Sequence, residues 1–139
     1  MKHLTLIRHG KSDWNEPGLP DFDRPLNDRG RRDLPAMAAR WKAHHPMPDQ
    51  VLSSPAVRAA TTARGMLLQL GQPADGIDYQ AALYLAPPQT IWSIIHTQAR
   101  GQDLWVVGHN DGLSELAAAL IPIALPPLPT CSWMRSTSL

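Results

Sequence analysis

The sequence predicts an α/β fold of three layers, α/β/α, with a mainly parallel central sheet. Short apolar runs typical of buried strands alternate along the chain with amphipathic stretches of helical spacing. Such alternation is typical of parallel strands joined by right-handed helical crossovers. The chain has 139 residues, so we predict a single domain over residues 1–139 that needs no disulfide or metal to bury a core.

The first predicted strand, Leu4 to Ile7, stops abruptly at Arg8-His9-Gly10. Gly10 lets the backbone turn sharply as the strand ends. Arg8 and His9 are therefore placed at the carboxyl end of a strand, where open α/β sheets bind ligands. An arginine beside a histidine at that edge favours phosphate handling, although the tripeptide alone is also compatible with a chance loop.

A proline-rich loop over residues 16–26 precedes the first predicted helix. Asn27 stands where the N-cap of that helix is expected. Its buried face is defined by four residues with helical spacing: Leu34, Met37, Ala38 and Trp41. Pro35 lies inside this pattern, and we expect it to kink the helix or to move its start.

The second predicted strand is Gln50 to Ser53, and a helix follows it directly. Ser54 is predicted to be the N-cap of this helix, with Pro55 at its first position. Arg58 then falls in the first turn, near the positive end of the helix dipole. It can face the same sheet edge as His9, whereas an ordinary surface arginine would be solvated.

The later elements bring a second histidine to a strand end. We predict a short edge strand over 77–79, a helix over 90–100 and a buried strand over 104–107. Gly108-His109-Asn110 follows that strand, and a last helix begins with Asn110 or Asp111 as its cap. In a parallel sheet, four side chains converge at one edge: Arg8, His9, Arg58 and His109.

This convergence predicts a site for phosphoryl transfer. Two guanidinium groups and helix N-termini match the charge that a transferring phosphoryl group spreads over its oxygens. A neutral His9 imidazole can attack phosphorus and split hydrolysis into phosphorylation and dephosphorylation. His109 would be the oxyanion partner, and loss of one such donor costs on the order of 3 kcal/mol in the transition state.

Three motifs carry a resemblance to a known family: RHG followed by KSDWN, SSPAVRAATTA at 53–63 and VVGHNDGLSELA at 106–117. In these motifs the chain resembles the histidine phosphatase superfamily, also called phosphoglycerate-mutase-like. Its small size and the segment DFDRPLNDRGRRD at 21–33 resemble the short bacterial phosphohistidine phosphatases of the SixA type. The resemblance spans about residues 3–130.

This resemblance implies a phosphoglycerate-mutase-like fold and implies that His9 is the phosphorylated nucleophile. It implies that the other matched residues bind or surround the phosphate: Arg8, Arg58, His109, Ser12 and Asn15.

The chain departs from the larger members of this family in the stretch after the second motif. Those members carry a glutamate acid there, whereas residues 79–88, YQAALYLAPP, contain no carboxylate. An alkoxide needs a proton to leave at neutral pH, but a phosphoramidate nitrogen can leave already protonated, so the gap favours phosphohistidine over sugar phosphates. Asp23 beside Arg24 is interpreted as a loop-fixing ion pair. The nearby carboxylates that remain possible donors are Asp13, Glu16, Asp21 and Asp23.

The second departure lies at the C-terminus. The family usually continues through a further strand after PLPTC, but this sequence stops within CSWMRSTSL. We therefore expect the last strand to be shortened or lost. An unpaired sheet edge with an exposed Trp133 would favour self-association, so a monomer or a homodimer is expected.

Composition argues against several other classes of protein. A formal net charge of +1 provides no field for gathering nucleic acid. The apolar stretches are too short to span a bilayer and no leader pattern is present, so we expect a cytoplasmic protein without membrane contact. The single cysteine, Cys131, lies in no CxxxxxR phosphatase loop. The six histidines show neither HxH nor HExxH spacing, so we expect no metal and no other cofactor.

The sequence thus predicts a metal-independent phosphatase that passes phosphate through His9 to water. The expected substrate is phosphohistidine in a protein, such as a histidine phosphorelay domain. Two alternatives stay open. One is a phosphatase for small phosphomonoesters, and the other is a noncatalytic phosphate-binding or interaction module, which the missing acid and the altered C-terminus suggest.

Overall fold

The computed structural model describes residues 1–121 and 126–137, and five β-strands lie in this part of the chain. They are β1 (His3–Arg8), β2 (Gln50–Ser53), β3 (Asp78–Tyr79), β4 (Asp103–Gly108) and β5 (Ser132–Thr137). The strands form one sheet in the order β3-β2-β4-β1-β5. Strands β1 to β4 run parallel, and β5 runs antiparallel to β1. The predicted mainly parallel sheet is confirmed.

Four α-helices in the described part of the chain cover the two faces of this sheet. They are α1 (Asp28–His44), α2 (Val57–Gln69), α3 (Pro88–Gln98) and α4 (Gly112–Leu120). In β4, Trp105 and Val107 pack with α1 and α2, while Leu104 and Val106 pack with α3 and α4. This alternation follows from the period of two in a strand and produces the predicted α/β/α layers. Among the described residues, no helix combines the length and apolar character needed to cross a bilayer.

Helix α1 tolerates the proline inside it. The Asn27 side chain accepts the Gly30 N–H at 2.8 Å, as predicted for an N-cap. The helix begins at Asp28 and continues through Pro35 to His44, so the proline does not move its start. Burial of the predicted apolar face, including the fully buried Trp41, outweighs the one backbone hydrogen bond that the proline removes.

The predicted cap of helix α2 is wrong. The helix begins at Val57 with Ala56 as its N-cap, two residues later than the sequence suggested. Pro55 favours an extended conformation for Ser54, and the Ser54 hydroxyl accepts the Ala56 N–H at 3.2 Å and binds His109 Nε2 at 2.8 Å. The residue expected to cap a helix instead supports one of the two histidines of the site.

The last strand is present and pairs with all six residues of β1, so the expectation that it is lost is wrong. Trp133 is not exposed but half-buried, because its ring packs against Trp41 with ring centroids 5.3 Å apart. Arg135 of β5 also forms a buried ion pair with Asp103 of β4 at 2.6 Å. Among the strands that the structure describes, β5 lies at one edge of the sheet, and dimerisation there stays a prediction. Residues 122–125 and 138–139 lie outside the described part of the chain.

Candidate active site

A cavity of about 400 Å³ opens at the sheet edge where β1, β2 and β4 have their carboxyl ends. Asn15 does not line it, because this residue is exposed and its backbone N–H donates to Asp13 Oδ1 at 2.7 Å. A phosphate-binding role for Asn15 stays a prediction. The other side chains that the sequence assigned to the site all line the cavity: Arg8, His9, Ser12, Arg58 and His109.

The His9 ring is oriented by the turn that follows β1. Its Nδ1–H donates to the Gly10 carbonyl oxygen at 2.5 Å. On a neutral ring this bond leaves the lone pair of Nε2 free, which is the form that a nucleophile needs. The His9 backbone is fixed on both sides, because its N–H donates to the Gly108 carbonyl at 3.2 Å and its carbonyl accepts the Cys131 N–H at 2.9 Å.

His109 lies beside His9, with ring centroids 5.2 Å apart. The two residues are only 3% and 7% exposed, respectively. The Ser54 hydroxyl oxygen already accepts the Ala56 N–H, so its own proton is available to His109 Nε2. With that bond, a neutral His109 ring carries its proton on Nδ1 and is a hydrogen-bond donor at that atom.

Both imidazoles are held in the neutral form at pH 7. Burial, assisted by the nearby guanidinium groups of Arg58 and Arg8 and opposed by the Gly10 carbonyl, lowers the pKa of His9 to about 4. Burial also lowers the pKa of His109 to about 3, with His9 and Arg58 acting in the same direction. A neutral His9 can therefore act as a nucleophile without first losing a proton.

These pKa values predict how stability depends on pH. In the unfolded chain both histidines bind a proton near pH 6.5, whereas in the folded protein they do so only near 4 and 3. Their stabilising contribution is therefore complete above about pH 6.5 and is lost as the pH falls toward those values. We expect urea denaturation to show a steeper loss of unfolding free energy between pH 6.5 and 4 for the wild type than for His109→Gln. The expected difference in slope is about 1.4 kcal/mol per pH unit, and equal slopes would contradict the assignment.

Arg8, which is half-buried, and Arg58 bring two guanidinium groups to the cavity. Arg58 lies in the first turn of α2, as predicted, and its side chain is almost fully buried. Three buried nitrogens of the site have no hydrogen-bond partner among the described residues: Arg8 Nε, Arg58 Nε and His109 Nδ1. An unpaired buried donor costs about 1–3 kcal/mol. An oxyanion that entered the cavity would offer acceptors to such donors.

Arg24 is a cavity residue that the sequence analysis did not assign to the site. The predicted pair with Asp23 is wrong, because Arg24 forms its ion pair with Asp21 instead, at 3.0 Å between Nη2 and Oδ1. Residues 21–23 form one 3-10 turn, which brings residues three apart in sequence together. Arg24 also donates to the Ser12 hydroxyl at 2.7 Å and lies over the Trp14 ring at 3.4 Å.

Asp21 is the carboxylate that lines the cavity in the described part of the chain. It accepts hydrogen bonds from Tyr84, Arg58 and Arg24. Burial alone would raise the pKa of Asp21, but these hydrogen bonds outweigh burial and lower it to about 2. Asp21 is therefore ionised at neutral pH and is unsuited to act as a proton donor.

The remaining polar groups near the site do not offer another obvious chemistry. Burial raises the pKa of the Cys131 thiol to about 11, which disfavours a thiolate nucleophile. Within residues 1–121 and 126–137, no group of three or more His, Cys, Asp or Glu side chains is arranged to hold a metal ion. Independence from metals stays a prediction.

The comparison with protein families decides the assignment. The model of the histidine phosphatase superfamily (branch 1) matches residues 4–79, which include most of β1, the RHG turn and the whole of α2. The chain belongs to the histidine phosphatase superfamily. Membership supports a phosphatase, a hydrolase that transfers phosphate to water.

This histidine phosphatase is similar to curated proteins that are described as uncharacterised. The protein Rv1276c of Mycobacterium tuberculosis is 38% identical over 120 residues, which cover 85% of this chain and 72% of the relative. The chloroplast protein At3g52155 of Arabidopsis thaliana is 28% identical, and the match covers 94% of this chain but only 64% of the relative's length.

Solved structures show the same fold. A protein of Agrobacterium tumefaciens, provisionally assigned as phosphohistidine phosphatase SixA, has a TM-score of 0.86 and 29% identity to this histidine phosphatase, with 99% of this chain and 91% of that one covered. The protein histidine phosphatase SixA complexed with tungstate has a TM-score of 0.75 and 22% identity, with 96% and 86% covered. The phosphoglycerate-mutase-like, SixA-like fold that the sequence predicted is confirmed.

Proposed function

We propose that the protein hydrolyses phosphohistidine in a protein substrate through a covalent phosphoenzyme on His9. The observation that carries this proposal is the His9 ring, whose Nε2 is free while Nδ1 is bound to Gly10 and whose cavity also contains Arg8, Arg58 and His109. In the first step a bond forms between Nε2 and phosphorus as the substrate's phosphorus–nitrogen bond breaks. Water then attacks phosphorus, the bond to Nε2 breaks, and neutral His9 and inorganic phosphate result.

The proposed roles of the other residues follow from charge. Arg8 and Arg58 bind the equatorial oxygens of the phosphoryl group, whose charge a guanidinium fork matches. His109, neutral and protonated on Nδ1, donates a hydrogen bond to the same group without adding a full positive charge to the cavity. Ser12 lines the cavity while its hydroxyl is bound to Arg24.

The lack of an acid in the cavity favours a phosphoramidate substrate. Asp21 is ionised, and the other candidate donors, Asp13, Glu16 and Asp23, do not line the cavity. A sugar hydroxyl needs a proton as it leaves, whereas the imidazole nitrogen of phosphohistidine can be protonated before the phosphorus–nitrogen bond breaks. The 29% identity to the provisionally assigned phosphohistidine phosphatase of A. tumefaciens supports the same choice.

The rim of the cavity favours a protein as the carrier of the phosphohistidine. Trp14 and Leu85 both line the cavity, and they are 74% and 54% exposed. Phe22, adjacent to Asp21, is exposed as well and packs edge-on against Tyr84. Large apolar side chains exposed around a polar cavity are typical of surfaces that contact proteins.

A comparison of substrates tests the proposal. We expect kcat/KM to be highest for a histidine-phosphorylated phosphorelay protein, lower for free phosphoramidate, and lowest for glucose 6-phosphate, with chelator present throughout. Loss of activity on chelation would contradict metal independence. Faster turnover of the sugar phosphate would instead indicate a small-molecule phosphomonoesterase, and phosphate binding without any turnover would indicate a noncatalytic module.

A further inference from the structure

The cavity contains an unusual balance of charge. In the described part of the chain, one carboxylate lines it, that of Asp21. Four cationic side chains line it as well: Arg8, Lys11, Arg24 and Arg58. Four cations without a counter-charge would hold a dianion such as inorganic phosphate tightly. A hydrolase that retains its product in this way is slow to accept the next substrate.

Asp21 occupies the donors that a phosphoryl group would use. Both terminal nitrogens of Arg58 are bound to it, Nη1 to the Asp21 backbone carbonyl at 2.6 Å and Nη2 to the carboxylate Oδ2 at 2.9 Å. The side chain of Asp21 is 41% exposed, so it meets whatever enters the cavity. A phosphate that approaches Arg58 Nη2 must share this nitrogen with the carboxylate or displace the carboxylate, and at Arg58 Nε it is still repelled by the same negative charge.

Tyr84 fixes the carboxylate in this place. Its hydroxyl donates to Asp21 Oδ2, the same oxygen that Arg58 binds. The Tyr84 ring is in turn held edge-on between Phe22 and His109, with ring centroids 5.1 Å and 5.5 Å away. Tyr84 therefore connects the position of Asp21 to the histidine side of the cavity.

We propose that Asp21, positioned by Tyr84, is an internal anion that competes with inorganic phosphate for Arg58 and so promotes release of the product. This inference rests on the proposed function, because phosphate is then the product that the cavity must release. Asp21 and Tyr84 act through Arg58 and are positioning residues. Tyr84 lies in the segment after the second motif that has no carboxylate, so this segment contributes to phosphate release instead of proton donation.

Asp21→Asn isolates the effect of the charge, because the amide keeps an oxygen that can accept from Arg58 and Tyr84. We expect this variant to bind inorganic phosphate on the order of tenfold more tightly than the wild type in isothermal titration calorimetry. Phosphate should also become a stronger product inhibitor by a similar factor. Asp23→Asn is the matched control, since it removes the same charge from the same turn but lies outside the cavity, and its phosphate affinity should not change.

A second pair of variants keeps the test independent of how Asp21→Asn folds. Tyr84→Phe removes the hydroxyl that holds the carboxylate and should tighten phosphate binding by a smaller factor, whereas Tyr79→Phe, whose hydroxyl faces Arg64, should not. Unchanged or weaker phosphate binding in Asp21→Asn, or in Tyr84→Phe if the first variant does not fold, overturns the inference. If the wild type hydrolyses no phosphoramidate at all, the proposed function fails instead, whatever the phosphate affinities of the variants.

Discussion

His9→Ala is expected to abolish the phosphoenzyme and to lower kcat/KM by about 10⁴-fold or more, since loss of a nucleophile removes the whole covalent route. His9 is the residue of the cavity whose ring nitrogen is both neutral and free to attack. After brief exposure to a phosphoramidate with labelled phosphorus, the wild type should carry label that is lost in acid and kept in base, as expected for a phosphorus–nitrogen bond. The variant should carry none.

His96→Ala is the matched control for this experiment, because His96 is an exposed histidine on α3. It should form the labelled phosphoenzyme as the wild type does. The His9 variant should still unfold cooperatively in a thermal melt, which would show that its failure to take up label does not result from loss of the fold. Label retained in a folded His9→Ala protein would place the nucleophile elsewhere and refute the mechanism.

Arg58→Ala is expected to lower kcat/KM by about 10²- to 10³-fold. The change removes a buried donor from the phosphoryl group and leaves Asp21 as a carboxylate that repels it. Because both effects act on the phosphoryl group itself, we expect losses in kcat as well as an increase in KM. Arg58→Lys should restore little of the activity, since an ammonium group cannot present the planar fork of donors that matches the phosphoryl oxygens.

Arg64→Ala provides the comparison within the same helix, because Arg64 is exposed on α2 and its guanidinium faces the Tyr79 hydroxyl. Its kinetics should match those of the wild type. If both arginine variants showed the same modest loss, the effect would come from the helix as a whole, and the proposed contact of Arg58 with phosphate would be wrong.

The main residues of the site were predictable because they follow parallel strands. Once β1, β2 and β4 are recognised as parallel, their carboxyl ends must share an edge, which places His9, Arg58 and His109 near one another. This argument uses only hydrophobic patterning and needs no knowledge of loop structure. It also predicted the two layers of helices that cover the sheet.

The contacts of the loops were not predictable in the same way. Asp21, Arg24 and Tyr84 lie in or beside short 3-10 turns, where side-chain positions follow no long period. The spacing of Asp21 and Arg24 was a usable signal, but the adjacent Asp23 was the more obvious partner in sequence. Ser54 was assigned to a cap because its long-range bond to His109 is not visible in the local pattern.

The pairing of the first strand with the last has a consequence for synthesis of the protein. The carbonyl of His9 accepts the Cys131 N–H, and the Arg8 guanidinium donates to the Leu128 carbonyl at 2.9 Å. The ribosome makes the nucleophile among the first residues of this sequence and the groups that hold it more than a hundred residues later. A nascent chain therefore carries His9 without these contacts, and they can form only after residues 128–131 have been made.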